Sequence, residues 1–361
     1  MIRAGGQLLH RPSDPGDPVG AVREAAFIQA QDPQAARLGV RARARRITAA
    51  DVDAARNGRT LMRSWAMRGT LHLFPAEDTA WLLSLFRERE LRWARSRIHK
   101  LMGLDRRAQD RAVAVVRRLL ESHGEPVLRV DVVVELERAG FDTSSNAIHH
   151  LSRLAVLEGA AFLGPDAVTR TTYVAARGWL DPEKPPPRDV AMEELARRHV
   201  GAFAPADERD LAAWSGLGLR ECRAALERIG GELVEVEIDS GRKSALRRRP
   251  LHAPRRPLVR MLGAFDNHLM GHGNRDVSVP SEHLRRVWPG SGIVNATLLV
   301  DGVAAATWKT RRSPGRIEVM LDPFAQLETA TLARVEREVE EIGRFEGREA
   351  ALEVLPVSPQ R

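Results

Sequence analysis

The chain has 361 residues and is basic, with 56 lysines and arginines against 48 aspartates and glutamates and a formal net charge of +8. Almost all of the basic residues are arginines, since only Lys100, Lys184, Lys243 and Lys309 are lysines. The single cysteine, Cys222, excludes an intramolecular disulfide and a thiolate zinc cluster. No apolar run of 18 residues predicts a membrane span, so we expect a cytoplasmic protein without membrane contact, and a monomer. Arginine suits phosphate, and an aromatic content of 5% disfavours stacking on single strands, which points to double-stranded DNA as the partner.

Residues 26–34 read A-F-I-Q-A-Q-D-P-Q, with Gln29 and Gln31 directly before an Asp-Pro pair. Aspartate is a good N-cap and proline a good first helical residue, whereas proline cannot sit inside a helix. We therefore predict helices around 20–29 and 33–45, with the glutamines at the junction between them. On a continuous helix, side chains two residues apart point in different directions. At a bend between two helices, both amides can point the same way.

The N-terminal part follows the pattern of a winged helix, in which helices precede a two-stranded wing. After the first two helices, Thr48 and Asp51 form a capping box that predicts the start of a third. Two β-like runs follow, L-M-R-S-W-A-M and T-L-H-L-F, separated by an Arg-Gly pair. We predict winged helix 1 over residues 1–74 and an arginine-rich helical connector over 75–125.

The same order of helices and strands recurs twice. Residues 126–180 predict winged helix 2, whose third helix has the N-cap candidates Thr143 and Ser144. The proline-rich stretch 181–189 is typical of a linker. Residues 190–255 predict winged helix 3, which ends in a hairpin turned at a Ser-Gly pair.

The C-terminal segment, 256–361, is predicted to be a β domain, and from about residue 277 onward the sequence is typical of strands. The pair Asp301-Gly302 is a tight hairpin signal, and a last helix is expected at about 326–346. The predicted fold class is α+β, mainly α, with three tandem winged-helix motifs and a C-terminal β-barrel-like domain.

Four blocks of sequence together resemble a known family. They are F-I-Q-A-Q-D-P, R-S-W-A-M-R-G-T-L-H-L-F-P-A-E-D (63–78), M-L-G-A-F-D-N-H-L-M-G-H-G-N-R (261–275) and N-A-T-L-L-V-D-G-V-A-A-A-T-W-K (295–309). In this order they resemble the winged-helix DNA-binding family that includes the AlkZ-type DNA glycosylases and their AlkX-type relatives. The resemblance spans nearly the whole chain and implies three winged helices that form a C-shaped DNA channel, finished by a β-barrel.

The resemblance also implies an activity: excision of N7-alkylated purines, including interstrand crosslinks, in repair or in self-resistance against DNA-alkylating natural products. The AlkZ branch carries Gln-x-Gln as its catalytic motif and the AlkX branch carries Gln-x-Asp. Gln29 and Gln31 therefore resemble the catalytic pair of the AlkZ branch. Gln31, nearer the helix break, is expected to hold the attacking water.

Amide side chains suit this chemistry. A base alkylated at N7 is cationic and departs as a neutral molecule, so a general acid is unnecessary, and amide oxygens can position a water and stabilise positive charge on the sugar. No lysine lies near the motif to form a Schiff base, so we expect hydrolysis only. A bulky adduct does not fit a closed base pocket, so we expect an open channel with little base flipping.

Basic residues in five regions are candidate contacts to DNA. The set comprises Arg37, Arg41, Arg43, Arg45 and Arg46 after the motif, Arg63 and Arg68 in the first wing, Arg247, Arg248, Arg249, Arg255 and Arg256 beside the third wing, His268, His272 and Arg275 in the third block, and Lys309, Arg311 and Arg312 in the C-terminal hairpin.

A metal site at His268 and His272 is not expected. Their spacing of four is compatible with one, but Asp266 is the only nearby oxygen ligand and no glutamate completes a zincin pattern. Neither a P-loop nor a G-x-G-x-x-G motif after a strand is present, so no cofactor is expected.

Two other functions stay open at this point. A regulator built of winged helices without catalytic activity would account for the charge and the repeats, and the glutamines would then be structural amides. A broader crosslink-unhooking glycosylase of AlkX type would instead tolerate Gln31→Asp.

Overall fold

The computed structural model describes residues 2–10, 14, 16–142, 148–166, 170–181, 183–238, 241–249, 251 and 257–357. Its helices are α1 (Ile2–Gly6), α2 (Pro18–Glu24), α3 (Pro33–Arg41), α4 (Ala49–Asn57), α5 (Thr79–Met102), α6 (Arg106–His123), α7 (Arg129–Arg138), α8 (Ile148–Leu157), α9 (Arg188–Phe203), α10 (Glu208–Ser215), α11 (Leu219–Arg228), α12 (Asn267–Met270), α13 (Leu284–Val287) and α14 (Thr329–Glu346). Its strands are β1 (Ile28–Gln29), β2 (Leu61–Trp65), β3 (Leu71–Pro75), β4 (Val127–Leu128), β5 (Ala161–Leu163), β6 (Thr172–Ala175), β7 (Leu233–Ile238), β8 (Gly241–Leu246), β9 (Val259–Leu262), β10 (Thr297–Val300), β11 (Val303–Ser313), β12 (Arg316–Pro323) and β13 (Glu349–Val354).

The fold is mixed α+β and divides into two compact units. Unit 1 comprises Met1–Val52 and Met192–Arg361, and unit 2 comprises Asp53–Ala191. Unit 2 is therefore an insertion in the sequence of unit 1, and its two boundaries fall inside α4 and α9. The division into winged helices 1 to 3, connector, linker and C-terminal domain stays a prediction.

Unit 1 contains a five-stranded sheet in the order β13-β12-β11-β10-β9. All neighbours are antiparallel except β12 and β13, which are parallel and are joined by α14. The predicted hairpin at Asp301-Gly302 is confirmed: both residues have positive φ, and Val300 pairs with Val303 across the turn. A barrel-like domain is predicted here from the sequence. In the described residues the five strands instead form an open sheet, with β9 and β13 at its edges.

Helix α14 covers one part of this sheet and also lies against α3. Its buried residues include Val335, Val339 and Ile342, which recur at helical spacing. Glycine is required where α3 approaches the end of β9, because a Cβ on Gly263 would come within 2.9 Å of the carbonyl oxygen of Ala35. This close approach brings α3 next to the segment after β9.

Residues 190–255 show the predicted order of elements, with α9, α10 and α11 followed by the hairpin of β7 and β8. Helix α10 begins at Asp207, which forms a capping box with Asp210. Ser240 in the predicted hairpin turn lies outside the described residues. The assignment of this region as a winged helix stays a prediction.

Unit 2 contains the hairpin of β2 and β3, helices α5 to α8, and a three-stranded sheet in the order β4-β6-β5. The predicted connector consists of α5 and α6, separated after Gly103, which has a φ of 67°. The core of unit 2 is built from the buried faces of α5, α6 and α8 and includes Ile98, Val116 and Leu154. The predicted N-caps Thr143 and Ser144 lie outside the described residues.

Across the described part of the chain, no helix combines the length and the apolar character needed to cross a membrane.

Candidate active site and DNA-contact residues

The segment that carries the two glutamines begins with an early end of α2. The helix stops at Glu24, where the sequence analysis predicts it to run to residue 29, so that prediction is wrong. The Ala26 N–H donates to the Arg23 carbonyl (3.2 Å) and the Phe27 N–H donates to the Val22 carbonyl (2.9 Å). These two bonds form a Schellman motif, in which the residue after the cap adopts a left-handed conformation.

The left-handed conformation falls on residues that rarely adopt it. Ala26 has a φ of 54° and Phe27 a φ of 76°, although glycine is the usual residue at such positions. Backbone of this kind costs about 1–3 kcal/mol for each non-glycine residue and persists only where the surroundings enforce it. The segment before the first glutamine is therefore strained.

Gln29 and Gln31 follow this strained segment in different environments. Gln29 lies in the extended segment β1 with 6% of its surface exposed, whereas Gln31 is exposed to solvent. The predicted break after them is confirmed, because the Asp32 carboxylate accepts hydrogen bonds from the Gln34 and Ala35 N–H groups at the start of α3. The predicted second helix is shorter than expected and ends at Arg41.

Asn267 holds the backbone of the first glutamine. Its side-chain Oδ1 accepts a hydrogen bond from the Gln29 N–H at 3.2 Å, and its Nδ2 donates to the Phe27 carbonyl. The side chain is buried, with 3% of the residue exposed. One amide therefore bridges two backbone groups of the strained segment.

A buried ion pair lies directly beside Asn267. The Arg43 guanidinium donates to both oxygens of Asp266, at 2.8 and 2.7 Å, and neither side chain is more than 1% exposed. The same guanidinium donates to the Gly39 carbonyl (2.9 Å) and to Oε1 of Gln7 (2.8 Å). Burial alone would raise the pKa of Asp266, but the charge and hydrogen bonds of Arg43 hold it below its usual range.

Gln7 extends this network to the end of α2. Its Nε2 donates to the Ala25 carbonyl (3.2 Å) and to the Ala202 carbonyl (3.1 Å). Both ends of the strained turn are thus fixed by side-chain amides, at Ala25 by Gln7 and at Phe27 by Asn267. The sequence did not reveal Gln7 as part of the site, and Asp266-Asn267-His268 was considered only as a metal or DNA site. No local sequence pattern indicates partners that lie so far apart along the chain.

Three predicted DNA contacts are instead buried structural residues. Arg43 is 0% exposed in the ion pair described above, and Arg41 donates to Glu338 (2.9 Å) and to the Met261 carbonyl (3.0 Å). Arg63 in β2 is 3% exposed and donates to both carboxylate oxygens of Asp166, at 2.8 and 2.7 Å. These guanidinium groups are engaged inside the protein and do not face a DNA phosphate.

Two predicted histidine contacts also lie in the interior. His268 is 3% exposed and His272 is 8% exposed, and the His272 Nε2 lies 2.8 Å from the Phe203 carbonyl. Burial lowers the pKa of His268 to about 4 and that of His272 well below its usual value. Both rings are therefore neutral at pH 7, and neither offers a surface charge to DNA.

The other candidate cations lie at the surface or are partly exposed. Arg45, Arg46, Arg247, Arg248, Arg275, Lys309 and Arg311 are exposed, whereas Arg37, Arg68, Arg249 and Arg312 are partly buried. Several have partners: Arg249 contacts Glu24, Arg311 contacts Glu318, Arg312 contacts Glu346, and Arg275 lies over the Trp288 ring. Arg255 and Arg256 lie outside the described residues.

The chain matches the model of the AlkZ-like DNA glycosylase family over residues 22–345. The chain belongs to this family. It is therefore an enzyme that acts on the N-glycosyl bonds of DNA, and the alternative of a regulator without catalysis is set aside. The glycosylase is also 26% identical over 303 residues, 80% of each chain, to a protein of Streptomyces sahachiroi described as an interstrand DNA cross-link repair glycosylase.

A solved structure supports the same fold. The DNA glycosylase AlkZ of Streptomyces sahachiroi superposes with a TM-score of 0.78 at 22% identity and covers 98% of this chain and 97% of its own. The two proteins therefore share one fold over almost their full lengths.

We expect the strain at Ala26 to be measurable as stability. Ala26→Gly relieves a positive φ, whereas Ala25→Gly, at a φ of −76°, only loosens the unfolded chain. Both alanines are fully buried, so the lost methyl group affects both variants alike. Ala26→Gly should be more stable than Ala25→Gly by about 1 kcal/mol or more in urea unfolding. Equal stabilities would contradict the strain.

The buried histidine His268 predicts a loss of stability in acid. Its folded pKa of about 4 lies below the unfolded value of 6.5, so the unfolded state binds more protons between these pH values. The contribution of the neutral ring to the free energy of unfolding is complete above pH 6.5. It decreases by about 1.4 kcal/mol per pH unit as the pH falls towards 4. His268→Gln should make the fall in unfolding free energy between pH 7 and 5 shallower; His123→Gln, at the exposed end of α6, serves as the control.

Proposed function

We propose that this glycosylase hydrolyses the N-glycosidic bond of N7-alkylated purines, and that Gln29 and Gln31 are its catalytic residues. The observation that carries the proposal is the strained backbone before Gln29, held on both sides by buried amides and the Arg43–Asp266 pair. Strain of this kind is typical of functional sites, where it fixes the direction of a side chain.

Neutral amides are sufficient for a substrate that carries its own positive charge. N7 alkylation makes the purine cationic, so the bond breaks without protonation and the base leaves neutral. What remains is to hold a water at the anomeric carbon and to stabilise the positive charge that develops on the sugar. Amide oxygens do both and do not titrate. Ordinary purines, which need an acid, are then poor substrates.

The two glutamines divide this work in the proposal. Gln31 is exposed and so can reach bulk water, which supports its role as the residue that holds the attacking water. Gln29 is 6% exposed with its backbone fixed by Asn267, which suits a group that orients sugar and water. We propose hydrolysis without a Schiff base: no lysine lies near the motif in the sequence, and Lys243 is paired with Asp207 and Asp210.

Bulky adducts and interstrand crosslinks are included in the proposed substrates. The description of the Streptomyces sahachiroi relative as an interstrand cross-link repair glycosylase supports this. The role that we propose is repair, or self-resistance against DNA-alkylating natural products. A crosslinked base cannot enter a closed pocket, so we propose that the enzyme reaches the sugar from an open channel with little base flipping.

The test of the catalytic pair is single-turnover release of N7-methylguanine from duplex DNA. Gln29→Ala and Gln31→Ala should each lower the rate about 10²-fold, the scale of one positioned catalytic group, while affinity for the same duplex stays unchanged. Gln34→Ala is the matched control, since Gln34 lies in the same stretch and donates to Asp32 through its backbone. Wild-type rates in both variants would refute the proposal.

We further propose that DNA is held by the exposed cations of the candidate set. Arg45→Ala, Arg248→Ala and Lys309→Ala should each weaken DNA binding and reduce the slope of log affinity against log salt by about 0.9, the value for one lost phosphate contact. Arg337→Ala, an exposed arginine of α14 outside this set, is the control and should leave the slope unchanged. An unchanged slope in all three variants would exclude these residues as phosphate contacts.

A further inference from the structure

We propose that Asn267 is a positioning residue of the reaction, which acts through Gln29 and does not touch the substrate. This inference rests on the proposed catalytic role of Gln29. Asn267 is 3% exposed and has both polar atoms of its side chain engaged with the backbone of residues 27 and 29.

The two backbone groups bound by Asn267 flank Ile28, the first residue of the extended segment β1. In a strand, the carbonyl of one residue and the N–H of the residue two further on point to the same side. The side-chain amide of Asn267 offers one acceptor, for the Gln29 N–H, and one donor, for the Phe27 carbonyl. It therefore takes the place that a neighbouring strand would take.

The two hydrogen bonds of Asn267 are important because they help to hold the strained backbone before Gln29 in its unfavourable conformation. Phe27, whose carbonyl is held by Asn267, has a φ of 76°, and Ala26 before it has a φ of 54°. Without the bridge the turn can relax to ordinary dihedral angles. The backbone of Gln29 would then rotate and carry its side-chain amide away from the direction that positions sugar and water.

Asn267 itself is fixed in place by its neighbours. It is the first residue of α12, whose N-cap is Asp266, and the Asp266 carboxylate accepts a hydrogen bond from the His268 N–H at 2.9 Å. The same carboxylate is held by both terminal nitrogens of Arg43. The ion pair thus orients the loop, the loop presents Asn267, and Asn267 orients Gln29.

The requirement for asparagine follows from these bonds. Alanine loses the donor and the acceptor together, and leucine keeps the branched shape of the side chain in a larger volume but has neither. Both changes should therefore remove the bridge. Leu269 in the same short helix is 4% exposed and packs in the hydrophobic core of unit 1, so Leu269→Ala is the matched control for lost stability.

The experiment is a double-mutant cycle on duplex DNA that carries one N7-methylguanine. Single-turnover rates at saturating enzyme and dissociation constants are measured for wild type, Gln29→Ala, Asn267→Ala and the double variant, with urea unfolding to verify that each is folded. We expect Asn267→Ala to lower the rate about 10-fold or more, with the dissociation constant within about 2-fold of wild type. In the Gln29→Ala background the same change should have no further effect.

Several results would overturn the inference. They are a folded Asn267→Ala enzyme with the wild-type rate, rate losses that multiply in the double variant, or a loss in Leu269→Ala as large as that in Asn267→Ala. If Asn267→Ala does not fold, Asn267→Leu replaces it in the cycle with the same expectations. A wild-type rate in Gln29→Ala would refute the proposed function itself, whereas a slow Gln29→Ala with multiplying losses would refute only the role of Asn267.

Discussion

The Arg43–Asp266 ion pair is the interaction on which the candidate site depends. It removes two full charges from water, and that cost is offset by the bidentate geometry and by the further hydrogen bonds of the two terminal nitrogens of Arg43 to Gly39 and Gln7. Buried pairs of this kind add little net stability, but loss of one partner leaves a charge without compensation. The pair therefore specifies one arrangement of α1, α3 and the loop before α12, and this arrangement determines the path of the glutamine segment.

The charge of the protein is divided between two roles that a residue count does not separate. Arg41, Arg43 and Arg63 are buried against carboxylates and stabilise the fold, whereas Arg45, Arg248 and Lys309 are exposed to solvent. The formal charge therefore does not measure how many cations the surface offers to DNA.

Local chemistry made several parts of the fold predictable from sequence. Asp32 starts α3, Thr48 and Asp51 form the expected capping box, and Asp301-Gly302 turns the expected hairpin. The end of α2 was not predictable, because Ala26 adopts a left-handed conformation without the glycine that usually marks one. The roles of the arginines were not predictable either, since the carboxylate that binds Arg43 lies 223 residues further along the chain.

The bond between Gln29 and Asn267 spans 238 residues and has a consequence for how the protein is made. Unit 2 is synthesised completely between the two partners, so the segment with the glutamines leaves the ribosome long before the side chain that holds it. Contacts of such separation are closed late, after local structure has formed. An incomplete chain that ends before residue 267 contains both glutamines and lacks the side chain that holds the backbone of Gln29. During synthesis the two glutamines are therefore present well before the residue that holds Gln29 in position.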